Sequence, residues 1–406
     1  MLSHERAVST QHIDHQRLAV TMRRRLGVSS AITSRERLVC ALTSRSVSCE
    51  QIDRCDGCDA YARIGHSILI FNGRLSKPLS RPGVHRMRVF MAGATGAIGK
   101  RAVRKLIAAG HAVTGVARSA ASRAVLEREG AAAVNLDLFD AHAVRWSIDG
   151  HEAVVNLATH IPRGRLRVFW PRAWAENDRL RREASAILGE AAAATGARLF
   201  VQESFAFTYP DSGDKWVSED AKLAPSNYNR TVVDAEASAQ RFTEAGGRGV
   251  ALRFAALYGP ADFITEQLLA AVRHGLLPIF GRIEGYFPMV HHDDAASAVL
   301  TALEAPAGAY NVVDDLPLCR NDLAAVMADL QGVRRPRFPP AWLSSLAGPV
   351  GEAMSRSIRV SNRKLRSLSW VPAYPSARDG LQSILAQIHM REQRLAAFSA
   401  TLRRIR

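Results

Sequence analysis

The stretch VFMAGATGAIGKRAVRKLIAAGHAVTGVARS, from Val89 to Ser119, sets three glycines between an apolar run and a helical pattern. A strand, a tight glycine turn and a helix in that order form the head of a βαβ unit. Gly93, Gly96 and Gly99 then divide three tasks between them. One permits the turn, one lets a pyrophosphate approach the backbone, and one lets helix and strand pack closely. The free N–H groups of the helix start, around Thr95, Ala97 and Ile98, face the phosphates with a favourable dipole.

The residues that follow repeat the alternation. KRAVRKLIAAG reads as a helix closed by Gly110, HAVTGVAR as a second strand, SRAVLEREG as a helix and AAAVNLDL as a third strand. EAVVNLAT reads as a fourth strand, the Ala-rich RLRREASAILGEAAAATG as a long helix, RLFVQES as a fifth strand and GVALRFAALYG as a sixth. Short apolar strands alternating with helices predict an α/β fold, a Rossmann-like doubly wound parallel sheet. Beyond residue 260 the pattern shifts to helices and loops. The expected organisation is an NAD(P)-binding Rossmann domain over residues 87–260, then a smaller substrate-binding part with C-terminal helices over 261–406.

Within this frame the cofactor can be specified further. An acidic residue about 20 positions beyond the glycines would hold a free ribose hydroxyl, but the second strand runs into Arg118. A guanidinium forks onto a phosphate, so NADP is expected in preference to NAD. Asp137, at the end of the third strand, is placed to meet the adenine edge, with Leu138 beside it.

Residues 1–86 are different. They are rich in Arg, Ser and His, lack a sustained period, and carry Cys40, Cys49, Cys55 and Cys58. Met87 opens MRVFMAGATG, a natural start for a first strand, so the preceding segment is read as a disordered extension or as a start placed too early. CDGC has the spacing of a zinc or redox pair, yet no second pair follows at matching distance, and no metal site is expected. Cys319 stands alone in the body, a usage that fits a reducing compartment and a cytoplasmic location. The excess of 54 Lys+Arg over 38 Asp+Glu gives a net charge of +16, much of it near the ends of the chain. No basic stripe with interleaved aromatics accompanies it, so no nucleic-acid partner is expected. No apolar run reaches the roughly 18 residues of a membrane span.

From Met87 to about Leu385 the chain resembles an extended short-chain dehydrogenase/reductase of the NAD-dependent epimerase/dehydratase family. GATGAIG resembles the family's glycine motif, NLATHIP the stretch after its fourth strand, LRFAALYGP the segment after its sixth, and MVHHDDAASAVLTALE its V-H-V-D-D strand and helix. In the NLATHIP stretch the resemblance implies further cofactor contacts at Leu157, Ala158 and Thr159. The closing SNRKLRSLSWVPAYPSARDGLQSIL resembles the family's final W-x-P stretch. The resemblance implies a Tyr-x-x-x-Lys pair in which the phenol exchanges a proton with the substrate while the lysine lowers its pKa and holds the ribose. PSNYNRTVVDAE supplies Tyr228, and Glu236 supports the register, but the lysine position is Val232. An unaided phenol titrates near pH 10 and burial raises it further, which makes a poor base at neutral pH. Arg230, two residues from Tyr228, would lie on the opposite helix face; Lys215 and Lys222 in the preceding loop are alternative cations. The family's Ser/Thr falls on Ser204 if the loop is one residue shorter, and otherwise on Phe205.

His160 is read as a substrate donor or a structural hydrogen-bonder. His291 and His292 point to opposite faces and do not share a metal. The resemblance also implies a small-molecule substrate and a homodimer built on two long helices, the Ala-rich one and that beginning TVVDAEASAQRF. Two function classes remain. One is an NAD(P)-dependent oxidoreductase or epimerase-like enzyme acting on a small carbonyl or sugar-like compound, with Tyr228 as proton donor. The other is a non-catalytic NADP-binding or redox-sensing protein.

Overall fold

The computed structural model describes residues 52–53, 60–64, 67–71, 86–162, 167–340 and 342–405. The chain divides into two units, Met1–Val84 and His85–Arg406. In the first, β1 (Ile52–Asp53), β2 (Ala60–Ile64) and β3 (Ser67–Phe71) pair antiparallel in sequence order. The four cysteines of that segment lie outside the described residues.

The second unit begins with β4 (Arg88–Ala92), whose Val89, Phe90, Met91 and Ala92 are all fully buried. A strand covered on both faces reads as a continuous apolar run, because helices flank both sides of a parallel sheet. Then follow α1 (Ala97–Ala108), β5 (Ala112–Val116), α2 (Ala120–Arg128), β6 (Ala132–Val134), α3 (Ala141–Ile148) and β7 (Ala153–Asn156). Helix starts are set by short polar side chains: Ser119 Oγ accepts from the Ser122 amide at 3.1 Å and Asp140 Oδ1 from the Ala143 amide at 3.0 Å. Gly110 takes φ +94° directly after α1, a conformation that favours glycine.

The long Ala-rich helix of the sequence is broken into α4 (Ala175–Arg179), a π-turn over Leu180–Ala184 and α5 (Ser185–Ala194). It is followed by β8 (Leu199–Phe205), β9 (Trp216–Val217), α6 (Thr231–Glu244), β10 (Arg248–Phe254) and β11 (Ala256–Tyr258). The remainder comprises α7 (Phe263–Arg273), β12 (Met289–His291), α8 (His292–Ala302), β13 (Gly308–Val312), α9 (Arg320–Gln331), α10 (Trp342–Leu346), α11 (Gly348–Ser355), β14 (Arg359–Val360), α12 (Arg363–Arg366) and α13 (Ala377–Ile405).

Seven strands form one parallel sheet in the order β13-β10-β8-β7-β4-β5-β6. Alternate side chains feed two cores. Val89, Met91, Val155 and Val201 pack with α1 and α8, whereas Phe90, Val154 and Phe200 pack with Leu188 of α5 and Ala239 and Phe242 of α6. The order in which strands are added reverses at β4: the chain passes to β5 and β6 on one side and returns to β7 on the other. That switch point opens a crevice beyond the carboxyl ends of the strands. The seventh strand, β13, lies past the boundary drawn at residue 260, so residues of the later part complete the sheet itself. Two short parallel pairs, β11 with β12 and β9 with β14, stand apart from it. Among the described residues no helix is long and apolar enough to cross a membrane.

Candidate functional site

The glycine loop assigns each of its three tasks to one residue. Gly93 takes φ +74°, and a Cβ there would stand 2.4 Å from the carbonyl carbon and oxygen of Leu157, so the loop is pressed against the end of β7. A Cβ on Gly99 would stand 2.1 Å from the Gly93 carbonyl oxygen, which makes it the residue of close helix packing. Gly96 is exposed, and a Cβ there would meet only the Gly93 oxygen, at 3.2 Å. Its outer side is the one open for a phosphate.

Gly96 also caps α1 without a side-chain bond, and the first turn holds no acidic residue. The helix start therefore offers its N–H groups and positive dipole end unneutralised. Thr95 is half-buried, Ala97 exposed and Ile98 buried. Across the crevice, Leu157 is buried, Ala158 half-buried and Thr159 exposed. The segment is held from below by Asn156, whose Oδ1 accepts from the Ala158 amide at 3.1 Å while its Nδ2 donates to Ser185 Oγ and Gln202 Oε1.

Arg118 is exposed two residues beyond β5, next to the Ser119 cap. Asp137 is exposed too, with Oδ1 accepting from the Phe139 amide at 3.0 Å, and Leu138 is half-buried against the second core. His160 is held through its backbone: its amide donates to Asn177 Oδ1 at 2.9 Å and its side chain is exposed.

Tyr228 does not lie on a helix. It occupies the turn over residues 227–230, and α6 begins only at Thr231, so Val232 is the second helical residue and is fully buried. Arg230 caps that helix and is exposed. Trp174 packs its edge on the Tyr228 ring, with centroids 5.1 Å apart. Burial pushes the phenol pKa up; Arg181 and Arg356 pull it part of the way back, and Glu203 opposes them. Lys215 and Lys222, the alternatives named from sequence, are exposed. The cations that act on the phenol are arginines.

Both arginines are fixed. Arg181, in the π-turn, is buried and pairs through Nη2 with Glu203 Oε1 at 3.1 Å. Arg356 donates through Nη1 to the carbonyls of Tyr209 at 3.0 Å and Ala224 at 2.6 Å, and its Nη2 meets Glu352 at 2.9 Å. The sequence reading missed Arg181, Glu203 and Asn177; an Arg and an Asn inside a helix otherwise dominated by alanine were the available signal.

Ser204 is fully buried and donates to Glu236 Oε1. That carboxylate is also clamped by Arg253, through Nε to Oε1 and Nη2 to Oε2, both at 2.8 Å. Arg253 Nη1 continues to the Tyr209 hydroxyl at 2.7 Å, and this hydroxyl donates to Asn311 Oδ1 at 2.8 Å. Ser204 is thus tied into a buried network that joins β8, α6, β10 and β13. Phe205 is half-buried and stacks on Phe207 at 5.0 Å.

His291 accepts from the Asp293 amide at 3.2 Å as the cap of α8. Burial holds it down at about 4, and His292 at about 3, so both imidazoles are neutral.

Residues 89–313 match the NAD dependent epimerase/dehydratase family. A 3-diazoavenalumate denitrifying reductase of Streptomyces sp is 34% identical over 73% of this chain and 99% of its own length. A 2-alkyl-3-oxoalkanoate reductase of Shewanella oneidensis is 25% identical over 68% and 73%. The fold is shared with human epimerase family protein SDR39U1, solved with NADPH, at TM-score 0.61, 22% identity and coverage of 73% of this chain and 99% of that one. UDP-glucose 4-epimerase of Thermotoga maritima, solved with UDP-glucose, gives TM-score 0.61, 22% identity and coverage of 74% and 99%. From its glycine loop to its seventh strand, the chain belongs to the NAD dependent epimerase/dehydratase family.

Proposed function

We propose that the protein is a nicotinamide-dependent reductase that works in the reducing direction, with NADPH as its preferred donor. The observation that carries this reading is that the residue four positions beyond Tyr228, where the family resemblance implies a lysine, is the fully buried Val232; desolvation of the half-buried phenol pushes its pKa up in the same sense. An epimerase or alcohol dehydrogenase must first remove a proton from a hydroxyl, which needs a phenolate. A phenol held in its acid form is a poor base and still a competent donor to the alkoxide formed when a ketone is reduced. Both curated relatives are named as reductases, which favours the same direction.

The residues present fit the cofactor. The open side of Gly96, the uncapped start of α1 and the Leu157–Thr159 segment would hold the pyrophosphate and neighbouring groups, and Arg118 would take a 2′-phosphate. When bound, the reduced nicotinamide supplies a hydride. Tyr228 then gives the proton that a keto oxygen requires, and Trp174 fixes its ring.

Two substrate groups are proposed for this site, a 3-oxo group and a diazo group, after the names of the two relatives. They differ in proton demand. A ketone takes a hydride at carbon and a proton at oxygen; an arene diazonium takes a hydride at carbon and releases N₂, with no proton required. The test is NADPH consumption with one probe of each class. Turnover of either supports the reading, and Tyr228→Phe should cut ketone reduction by about 100-fold while sparing the diazonium. Nicotinamide binding without consumption for any probe would favour the non-catalytic alternative.

A further inference from the structure

Beside Tyr228 lies a set of buried polar atoms that the protein itself does not satisfy. Arg181 spends Nη2 on Glu203 Oε1, and each partner keeps an atom without a hydrogen bond: Nε of Arg181 and Oε2 of Glu203. Asn177 is one helical turn before Arg181; its Oδ1 is taken by the His160 amide, and its Nδ2 also has no partner. Arg181 is 4% exposed, Glu203 9% and Asn177 0%. Buried donors and acceptors are ordinarily paired, so three unpaired ones in one cluster call for a ligand group.

Their location ties them to the reacting end of the site. Asn177 lies three residues after Trp174, which packs on Tyr228, and the neighbouring Asp178 accepts from Thr231 at the start of α6 at 2.8 Å. Both Arg181 and Glu203 act electrostatically on the Tyr228 phenol.

The chemistry of the three atoms selects their partner. Two are donors and one is an acceptor. A carboxylate or phosphate would be repelled by Glu203, and an ammonium by Arg181. A neutral hydroxyl carries one donor and two acceptor lone pairs, the complement of this set. Trp174, three residues before Asn177, stands against the Tyr228 ring and sets two aromatic side chains beside the cluster.

We propose that Arg181, Glu203 and Asn177 form a recognition site for a neutral hydroxyl of the substrate, and that the substrate is a hydroxylated aromatic compound bound next to Tyr228. This rests on the reductase reading for the meaning of the site, but its test is a binding measurement that does not need turnover.

The full chain, saturated with the oxidised cofactor NADP+ so that no hydride can be transferred, is titrated calorimetrically with 4-hydroxyacetophenone, 4-methoxyacetophenone and 4-acetylbenzoate. The hydroxyl compound should bind at least about tenfold more tightly than its methyl ether, and the carboxylate should be rejected. In the Arg181→Leu/Glu203→Leu double variant, the preference for hydroxyl over ether should vanish while NADPH binding persists. Glu203→Gln, which keeps the shape and removes the charge, should admit 4-acetylbenzoate about tenfold better. Equal binding of hydroxyl and ether, a preference that survives the double variant, or no binding of any probe by the NADP+-loaded protein would overturn the proposal. The reductase reading fails separately, if NADPH is bound and no keto or diazo probe consumes it.

Discussion

Ser204 donates its hydroxyl to Glu236, the carboxylate that Arg253 grips with two 2.8 Å bonds. The hydroxyl proton is spent inside the fold, in a network that ties four elements together. Ser204→Ala should therefore act on stability more than on chemistry. A hydrogen bond to a charged acceptor contributes about 1.5–3 kcal/mol, and Arg253 still covers Glu236 after the change. Thermal unfolding should show a lowered Tm while kcat for reduction stays within a few-fold. A loss of kcat beyond about 100-fold with an unchanged Tm would place Ser204 at the substrate instead.

The glycines should separate by role. Gly99→Ala would force a Cβ to 2.1 Å from the Gly93 oxygen, so the loop must shift and the Tm should fall. Gly96→Ala meets only one atom, at 3.2 Å, and should fold close to normally. Its methyl group stands where a phosphate must approach, and NADPH affinity should drop by about tenfold or more. Calorimetric titration and thermal unfolding of the two variants distinguish the roles; equal effects on both quantities would contradict them.

The proposed preference for NADPH rests on Arg118. Removing a guanidinium that forks onto a 2′-phosphate costs about 1.5–3 kcal/mol of a charge-assisted contact. Arg118→Ser should weaken NADPH binding by about tenfold or more and leave NADH binding nearly unchanged. Parallel losses for both cofactors would mean that Arg118 does not read the 2′ position.

The raised pKa of Tyr228 has a defined consequence for pH. The phenol stays protonated through neutral pH, so ketone reduction should show no alkaline loss from Tyr228 between about pH 6 and 9. The reverse oxidation needs the phenolate and should rise with pH over the same span. Val232→Lys restores the lysine that the family resemblance implies and should move the onset of oxidation to lower pH. Because Val232 is fully buried, it should also lower the Tm. Rate profiles in both directions check this, and a reduction rate that falls steeply above neutrality in the wild type, but not in Tyr228→Phe, would contradict it.

The glycine turn between β4 and α1 was legible because its constraints are local. Gly93, Gly96 and Gly99 lie within seven residues, and the strand and helix flanking them follow from apolar runs of short period. Tyr228 was legible by spacing, but its conformation was not: helical spacing from Tyr228 to Val232 was expected, whereas the tyrosine sits in a turn ahead of α6. The Arg181–Glu203 pair could not be read, since it joins residues 22 apart on a π-turn and a strand, and only the folded chain brings them together. The same holds for β13: GAYNVV is too short and mixed to stand out, and it earns its place as an edge strand by pairing with β10.

The central claim is that the glycine loop at the switch point feeds a nicotinamide to the Tyr228 site. Calorimetric titration of the full chain with NADPH and with NADH tests it most directly. Tight NADPH binding, with NADH at least about tenfold weaker, is the predicted result. No binding of either would contradict it, leaving the sheet and loop without the ligand their geometry fits.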